Sequence, residues 1–198
     1  MPAAILEAPT SSGFPPRKKF TRELVEQMLD AGMFDGQRFE LIDGDLIDKM
    51  GQNPPHASAI QLLMDWAVLV FGKGKVRVQL SIEVAEVDRQ RGWPEPDIAV
   101  LAEAKADYRT RHPEGHELLL LVEVADTTLR FDATTKRDLY ARAGVPEYWV
   151  LDLNGRQLIG HRQLVEGRYQ QIVAVSEQET ATLEGRADTQ IRVSELLP

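Results

Sequence analysis

Leu118-Leu119-Leu120-Leu121-Val122 stands between Glu117 and Glu123, and an unbroken apolar run of this length is the mark of a central strand covered on both faces. Val76, Val78, Leu80, Ile82 and Val84 instead alternate with polar residues, the period of a strand with one buried face. Helical spacing appears three times. Thr21 is placed to cap a short helix carrying Leu24, Val25, Met28 and Leu29, which Gly32 ends. Pro54 and Pro55 suit the first turn of a longer one whose apolar face runs through Ile60, Leu63, Met64, Ala67, Val68 and Phe71 to Gly72. Asp132 to Ala143 reads as a third, with Leu139, Tyr140 and Ala143 inward and Gly144 beyond its end. Turn pairs mark the hairpins. Asp43-Gly44 joins Arg38–Ile42 to Asp45–Lys49, Asn154-Gly155 joins Val145–Leu151 to Arg156–Arg162, and Glu166-Gly167 leads into Arg168–Val175. Pro94 and Pro96 hold off a strand that runs from Asp97 to Leu101, whereas Glu103 to Gly115 is charged and loop-like. Strand, helix, strand across residues 118–151 implies a right-handed parallel crossover. The predicted class is mixed α/β (α+β), a mixed sheet flanked by helices.

Composition narrows the setting. Residues 1–19 hold Pro2, Pro9, Pro15 and Pro16 with Ser11, Ser12 and Gly13, so they read as a flexible arm, leaving residues 20–198 as a single domain. At 43% hydrophobic and 27% charged, the chain has the balance of a soluble globular protein. With no Cys, neither disulfides nor thiolate metal sites contribute. No apolar run nears the roughly 18 residues of a membrane helix. The start of the chain lacks the basic and apolar segments of a secretory signal, so the expected location is cytoplasmic. With 23 Lys plus Arg against 31 Asp plus Glu, the net charge of −8 argues against a general polyanion-coating protein.

Four residues stand where a sheet would gather them: Glu40 on the first hairpin, Asp97 at a strand start, Glu123 near a strand end and Lys136 on the following helix. Carboxylates aimed at one point from adjacent strands suit Mg²⁺ or Mn²⁺, hard cations that take oxygen ligands and keep several waters. A nearby ammonium then orients the attacking water. Each residue also has a plainer account. Asp97 after a proline is a common turn former, Glu123 is equally a structural partner of Lys136 or an Arg, and Lys136 is a solvated helix residue beside Asp132. Glu40 alternates with Phe39 and Leu41 and fits the outward side of a hairpin strand.

Taken together, Leu41-Ile42-Asp43-Gly44, Pro96-Asp97-Ile98, Leu121-Val122-Glu123-Val124, Lys136, Tyr140 and Gly144-Val145-Pro146-Glu147-Tyr148-Trp149-Val150-Leu151-Asp152 resemble the Uma-type family of proposed restriction endonucleases. That family was formerly an uncharacterised domain family, and the likeness reaches its PD-(D/E)XK nuclease superfamily. The resemblance spans about residues 20–190 and implies a restriction-endonuclease-like core with metal-dependent hydrolysis of DNA phosphodiester bonds. It implies Asp97 and Glu123 as ligands of Mg²⁺ or Mn²⁺, the Val124 carbonyl as a third, and Glu40 as the extra upstream acid. The superfamily lysine belongs two residues after Glu123, where this chain has Ala125. Lys136 is the matching candidate, moved to the next helix. His56 matches a histidine at the start of the family's long helix and takes a supporting role.

Two alternatives remain open on sequence: a catalytically degenerate nuclease fold that binds nucleic acid or protein, and a metal-dependent phosphoesterase for a smaller substrate. The placement of Arg17, Lys18, Lys19, Lys105, Arg109, Arg111, Arg130, Lys136, Arg137 and Arg142 discriminates, since a basic rim around the acids favours DNA. Duplex cleavage needs two sites or two visits, which predicts a homodimer.

Overall fold

The computed structural model describes residues 18–49 and 53–198. The arm expected over residues 1–19 therefore lies outside the described residues as far as 17. Helix α1 (Arg22–Asp30) starts where the Thr21 side chain accepts from the Leu24 N–H, and it leads to the hairpin β1 (Phe39–Ile42) and β2 (Asp45–Asp48). Asp43 and Gly44 both take positive φ, 48° and 77°, as this two-residue turn requires. Helix α2 (Pro54–Phe71) is capped by Asn53 and ends at Gly72. Strand β3 (Val76–Val78), the one-turn α3 (Glu86–Arg89), β4 (Ile98–Leu101) and β5 (Leu118–Ala125) follow. Helices α4 (Leu129–Phe131) and α5 (Arg137–Arg142) are joined by a π-helical turn over Asp132–Lys136. Strands β6 (Tyr148–Asp152), β7 (Gln157–Val165) and β8 (Arg168–Ser176) complete the main sheet. A small pair, β9 (Thr180–Ala181) and β10 (Ile191–Arg192), closes the chain.

The main sheet has the order β3-β4-β5-β6-β7-β8. Its pairs are antiparallel except β5 with β6, so the fold is the mixed α+β arrangement the sequence predicts. The parallel pair is bridged by α4, the π turn and α5, the crossover expected over residues 118–151. Strand β5 is buried along almost its whole length. On one face, Leu120, Val122 and Val124 pack with Ile60, Leu63 and Trp66 of α2 and with Trp149, whose ring stacks on Trp66 at 5.6 Å. On the other, Leu121 and Ala125 pack with Ala99, Tyr140, Val145 and Tyr148. Each such large apolar side chain contributes about 1.5–3 kcal/mol of burial free energy.

Three local readings change. The alternation from Val76 to Val84 does not give one strand: β3 stops at Val78 because Gln79 turns to φ 51° and donates its N–H to the Asp97 carbonyl. Leu80 is consequently exposed while Ile82 is buried. The third helix begins at Leu129 rather than Asp132 and carries the π turn. Glu40 does not face outward; β1 buries Glu40, Leu41 and Ile42 in succession, because polar partners for Glu40 lie inside.

Candidate active site

The antiparallel register of β4 and β5 pairs Ile98 with Val122 and Ala99 with Leu121, and one step further sets Asp97 opposite Glu123. Asp97 and Glu123 alternate onto the face of Ala99 and Leu121, their next-but-one neighbours, so the two carboxylates point the same way. The hairpin β1–β2 is joined to this region through the Leu41–Trp93 bridge, and it brings Glu40. The π turn supplies Asp132 and Lys136, both buried. One additional residue in that turn re-aims the helix, a distortion that recurs at functional sites. Asp97 and Glu123 are each 2% exposed.

Lys136 is the hub. Its Nζ lies 2.6 Å from Glu40 Oε1, 2.9 Å from Glu123 Oε1 and 3.9 Å from Asp132 Oδ1. The Tyr140 hydroxyl donates to the same Glu123 oxygen at 2.6 Å. Glu40 Oε2 accepts from the Glu95 N–H at 3.2 Å. Asp97 Oδ2 accepts from the Val124 N–H at 2.9 Å, and its Oδ1 accepts from Gln79 Nε2 at 3.3 Å. The α2 cap fixes His56: Asn53 accepts its N–H at 3.0 Å, and His56 Nε2 then reaches the Val124 carbonyl at 3.0 Å and stands 3.7 Å from Asp97 Oδ2. Glu40, Asp97, Glu123, Val124, Lys136 and His56 all line one cleft of about 360 Å³.

Charge in this cleft is unbalanced. Burial, then the negative charge of Glu123, pushes the Asp97 carboxyl above its ordinary range. Burial also raises Glu40, an effect that the Lys136 ammonium only eases. Asp132 is pushed up to about 7 by burial and by Glu123. Glu123 ends below its ordinary value: burial opposes its charge, but the Lys136 and Lys49 ammoniums and the Tyr140 hydroxyl outweigh burial. Burial likewise works against the Lys136 charge, and Glu123, Glu40 and Asp132 together raise it. Glu40, Asp97, Glu123 and Asp132 thus face two ammoniums, Lys49 and Lys136, and the surplus of carboxylates is what a bound cation would neutralise.

Among the described residues no three His, Cys, Asp or Glu side chains stand ready to enclose a metal ion. Two carboxylates and a main-chain carbonyl, all oxygen, suit an ion of the Mg²⁺ type that retains most of its water.

Among the nine of the ten expected cations that lie in the described residues, Lys136 alone lines the cleft. Lys19 pairs with Asp45, Lys105 and Arg111 with Glu117, Arg137 with Asp138 and Arg142 with Asp88, while Arg17 lies outside the described residues. Lys49, which the sequence marks only as the end of a hairpin strand, lies in the cleft 3.9 Å from Asp97 Oδ1. No sequence pattern flags it, because its position depends on how the hairpin docks.

Comparison with known proteins gives a consistent picture. A structure titled as that of "a putative nuclease belonging to DUF820 from Anabaena variabilis ATCC 29413" superposes with a TM-score of 0.62 at 12% identity, covering 80% of this chain and 88% of that one. At that identity the likeness is one of fold. No curated protein gives a significant match. Among the described residues no helix is long and apolar enough to cross a membrane. The family model described as "Uma2: Putative restriction endonuclease" matches residues 23–194, nearly the full length of the described fold, and the chain belongs to the Uma2 family.

Proposed function

We propose that the protein is a metal-dependent endonuclease that hydrolyses DNA phosphodiester bonds. The observation that carries this reading is the opposition of Asp97 and Glu123 on neighbouring strands, with Lys136 held against Glu123 at 2.9 Å. Asp97, Glu123 and the Val124 carbonyl would hold Mg²⁺ or Mn²⁺. A divalent cation bound there supplies Lewis acidity, stabilising negative charge on the phosphoryl group and lowering the pKa of water. Glu40 gives Lys136 a second carboxylate contact at 2.6 Å, and the ammonium orients the attacking water. Glu40 also serves as the further acid of the site, completing the ligand set or positioning a water. His56 holds the Val124 carbonyl in place through Nε2. Membership of a family described as restriction endonucleases supports the reaction class. Cutting both strands of a duplex takes two sites or two visits to one, and the reading includes a homodimer that supplies two sites; gel filtration coupled to light scattering tests it.

A second reading has one observation in its favour. Lys19, Lys105, Arg111 and Arg142 pair with the protein's own carboxylates, and among the described residues Lys49 and Lys136 are the only Lys or Arg that line the cleft, which suits a phosphodiester smaller than duplex DNA. Parallel assays with supercoiled plasmid and with bis(4-nitrophenyl) phosphate, each in Mn²⁺, separate the two. Plasmid nicking that Glu123→Gln abolishes supports the endonuclease; turnover of the small diester alone, lost in the same variant, supports the phosphoesterase.

A further inference from the structure

Lys49 follows β2 and places a second ammonium in the cleft, on the Asp97 side. The two lysines differ in what they are free to do. Lys136 is 4% exposed at its side chain and closed between Glu40 and Glu123. Lys49 is 12% exposed and stands 3.9 Å from Asp97, beyond hydrogen-bond distance. Its Nζ donates to the Glu95 carbonyl, while the Glu95 N–H donates to Glu40 at 3.2 Å. One peptide residue therefore ties Lys49 to the strand entry that carries Asp97 and, through its other side, to the acid that fixes Lys136. A lysine serving only as counter-ion to Asp97 would close to contact. Lys49 is bound instead to a neutral carbonyl, and it lines the cleft.

We propose that Lys49 is a substrate-phosphate ligand: its ammonium donates to a non-bridging oxygen of the phosphodiester that enters beside Asp97. This rests on the nuclease reading for the nature of the substrate. The division of labour follows from the positions. Lys136, held by the acids, serves the attacking water and Lys49 takes the anion, so a cleft with a net surplus of carboxylates still attracts one phosphate at a defined point. A single such contact, rather than a basic rim, is also consistent with the net charge of −8.

The test uses the full chain with Lys49→Ala, Lys49→Met and Lys49→Arg, and two binding measurements that need no turnover. Mn²⁺ alone is titrated calorimetrically, and thymidine 3′,5′-bisphosphate is then titrated at saturating Mn²⁺. Loss of the ammonium should leave Mn²⁺ affinity unchanged or tighter, since a like charge is removed from beside Asp97, while bisphosphate affinity falls about tenfold, as for loss of one charge-assisted hydrogen bond. Lys49→Arg should bind the bisphosphate within about threefold of wild type. Lys49→Met keeps the apolar stem and carries the test if the alanine variant folds poorly. Bisphosphate affinity unchanged in Lys49→Met, a parallel loss of Mn²⁺ affinity, or no bisphosphate binding by wild type overturns the assignment. Wild-type binding of Mn²⁺ and bisphosphate without any diester hydrolysis would instead overturn the nuclease reading and leave Lys49 as a phosphate ligand.

Discussion

Lys136 and Glu123 meet at 2.9 Å across thirteen residues of chain, both buried, and Glu40 contacts the same ammonium at 2.6 Å. One positive charge thus serves two buried carboxylates whose negative charges act on each other in a medium poor in water. Removing it should be severe for stability as well as for chemistry. For Lys136→Ala we expect a loss of about 3–5 kcal/mol in urea unfolding, the range for stripping one partner from a buried ion pair. Adding Glu40→Gln to that variant should restore part of the loss, because the repulsion between neighbouring carboxylates is then relieved. Additive effects of the two substitutions would show that they do not act through one another.

The Tyr140 hydroxyl donates to Glu123 Oε1 at 2.6 Å from within the core. Tyr140→Phe deletes this donor while keeping the ring that packs edge-on to Tyr148 at 5.1 Å. The expected loss is about 1.5–3 kcal/mol, as for a hydrogen bond to a charged group, with the fold retained by circular dichroism. The carboxyl of Glu123 should titrate higher in this variant, since one of the groups holding it ionised is gone.

Asn53 connects the local structure of α2 to the site. Its side chain accepts from the His56 N–H at 3.0 Å and so fixes the first turn of the helix. Asn53→Ala should lower stability by about 1 kcal/mol and Asn53→Ser by less, since the hydroxyl keeps the cap, whereas Asn53→Asp keeps the cap but replaces the amide that donates to Asp126 with a second carboxylate and should be less stable than Asn53→Ser. Thermal unfolding of the three variants checks the ranking.

How much of this was legible in the sequence depends on the range of the interaction. Strand β5 was legible from five consecutive apolar residues, and the hairpins from Asp43-Gly44, Asn154-Gly155 and Glu166-Gly167, because the physics there is local. The β3 strand was overdrawn, since alternation persists to Val84 while the backbone turns at Gln79 to meet Asp97. Position alone suggested Glu40, Asp97, Glu123 and Lys136 as one group, and the structure brings them into one cleft. The register that sets Asp97 against Glu123 is a property of strand pairing that no single segment encodes. The π turn was invisible for a related reason: the spacing of Asp132 and Lys136 is the same in either helix type. Lys49 was missed because a hairpin docking onto Trp93 and Glu95 decides where it points.

His161 on β7 is a buried titratable group away from the cleft. Burial holds it down at about 4 against an ordinary 6.5, and its Nδ1 lies 3.3 Å from the Tyr148 carbonyl. The folded protein therefore binds fewer protons than the unfolded chain between these values. Its contribution to stability is fully present above pH 6.5 and is lost as the pH falls toward 4. The difference in unfolding free energy between wild type and His161→Phe should change by about 2–3 kcal/mol across that interval, in favour of the variant at low pH. A difference that is flat with pH would place the imidazole in contact with solvent.

The account turns on Asp97 and Glu123 acting as a pair that supports phosphodiester hydrolysis. The direct measurement is the rate at which supercoiled plasmid is nicked in Mg²⁺ or Mn²⁺ by wild type, Asp97→Asn and Glu123→Gln, each verified as folded by its thermal transition. We expect metal-dependent nicking by wild type that EDTA abolishes, and a fall of at least about a hundredfold in each variant. Equal rates in all three proteins, or nicking that persists in EDTA, would contradict it.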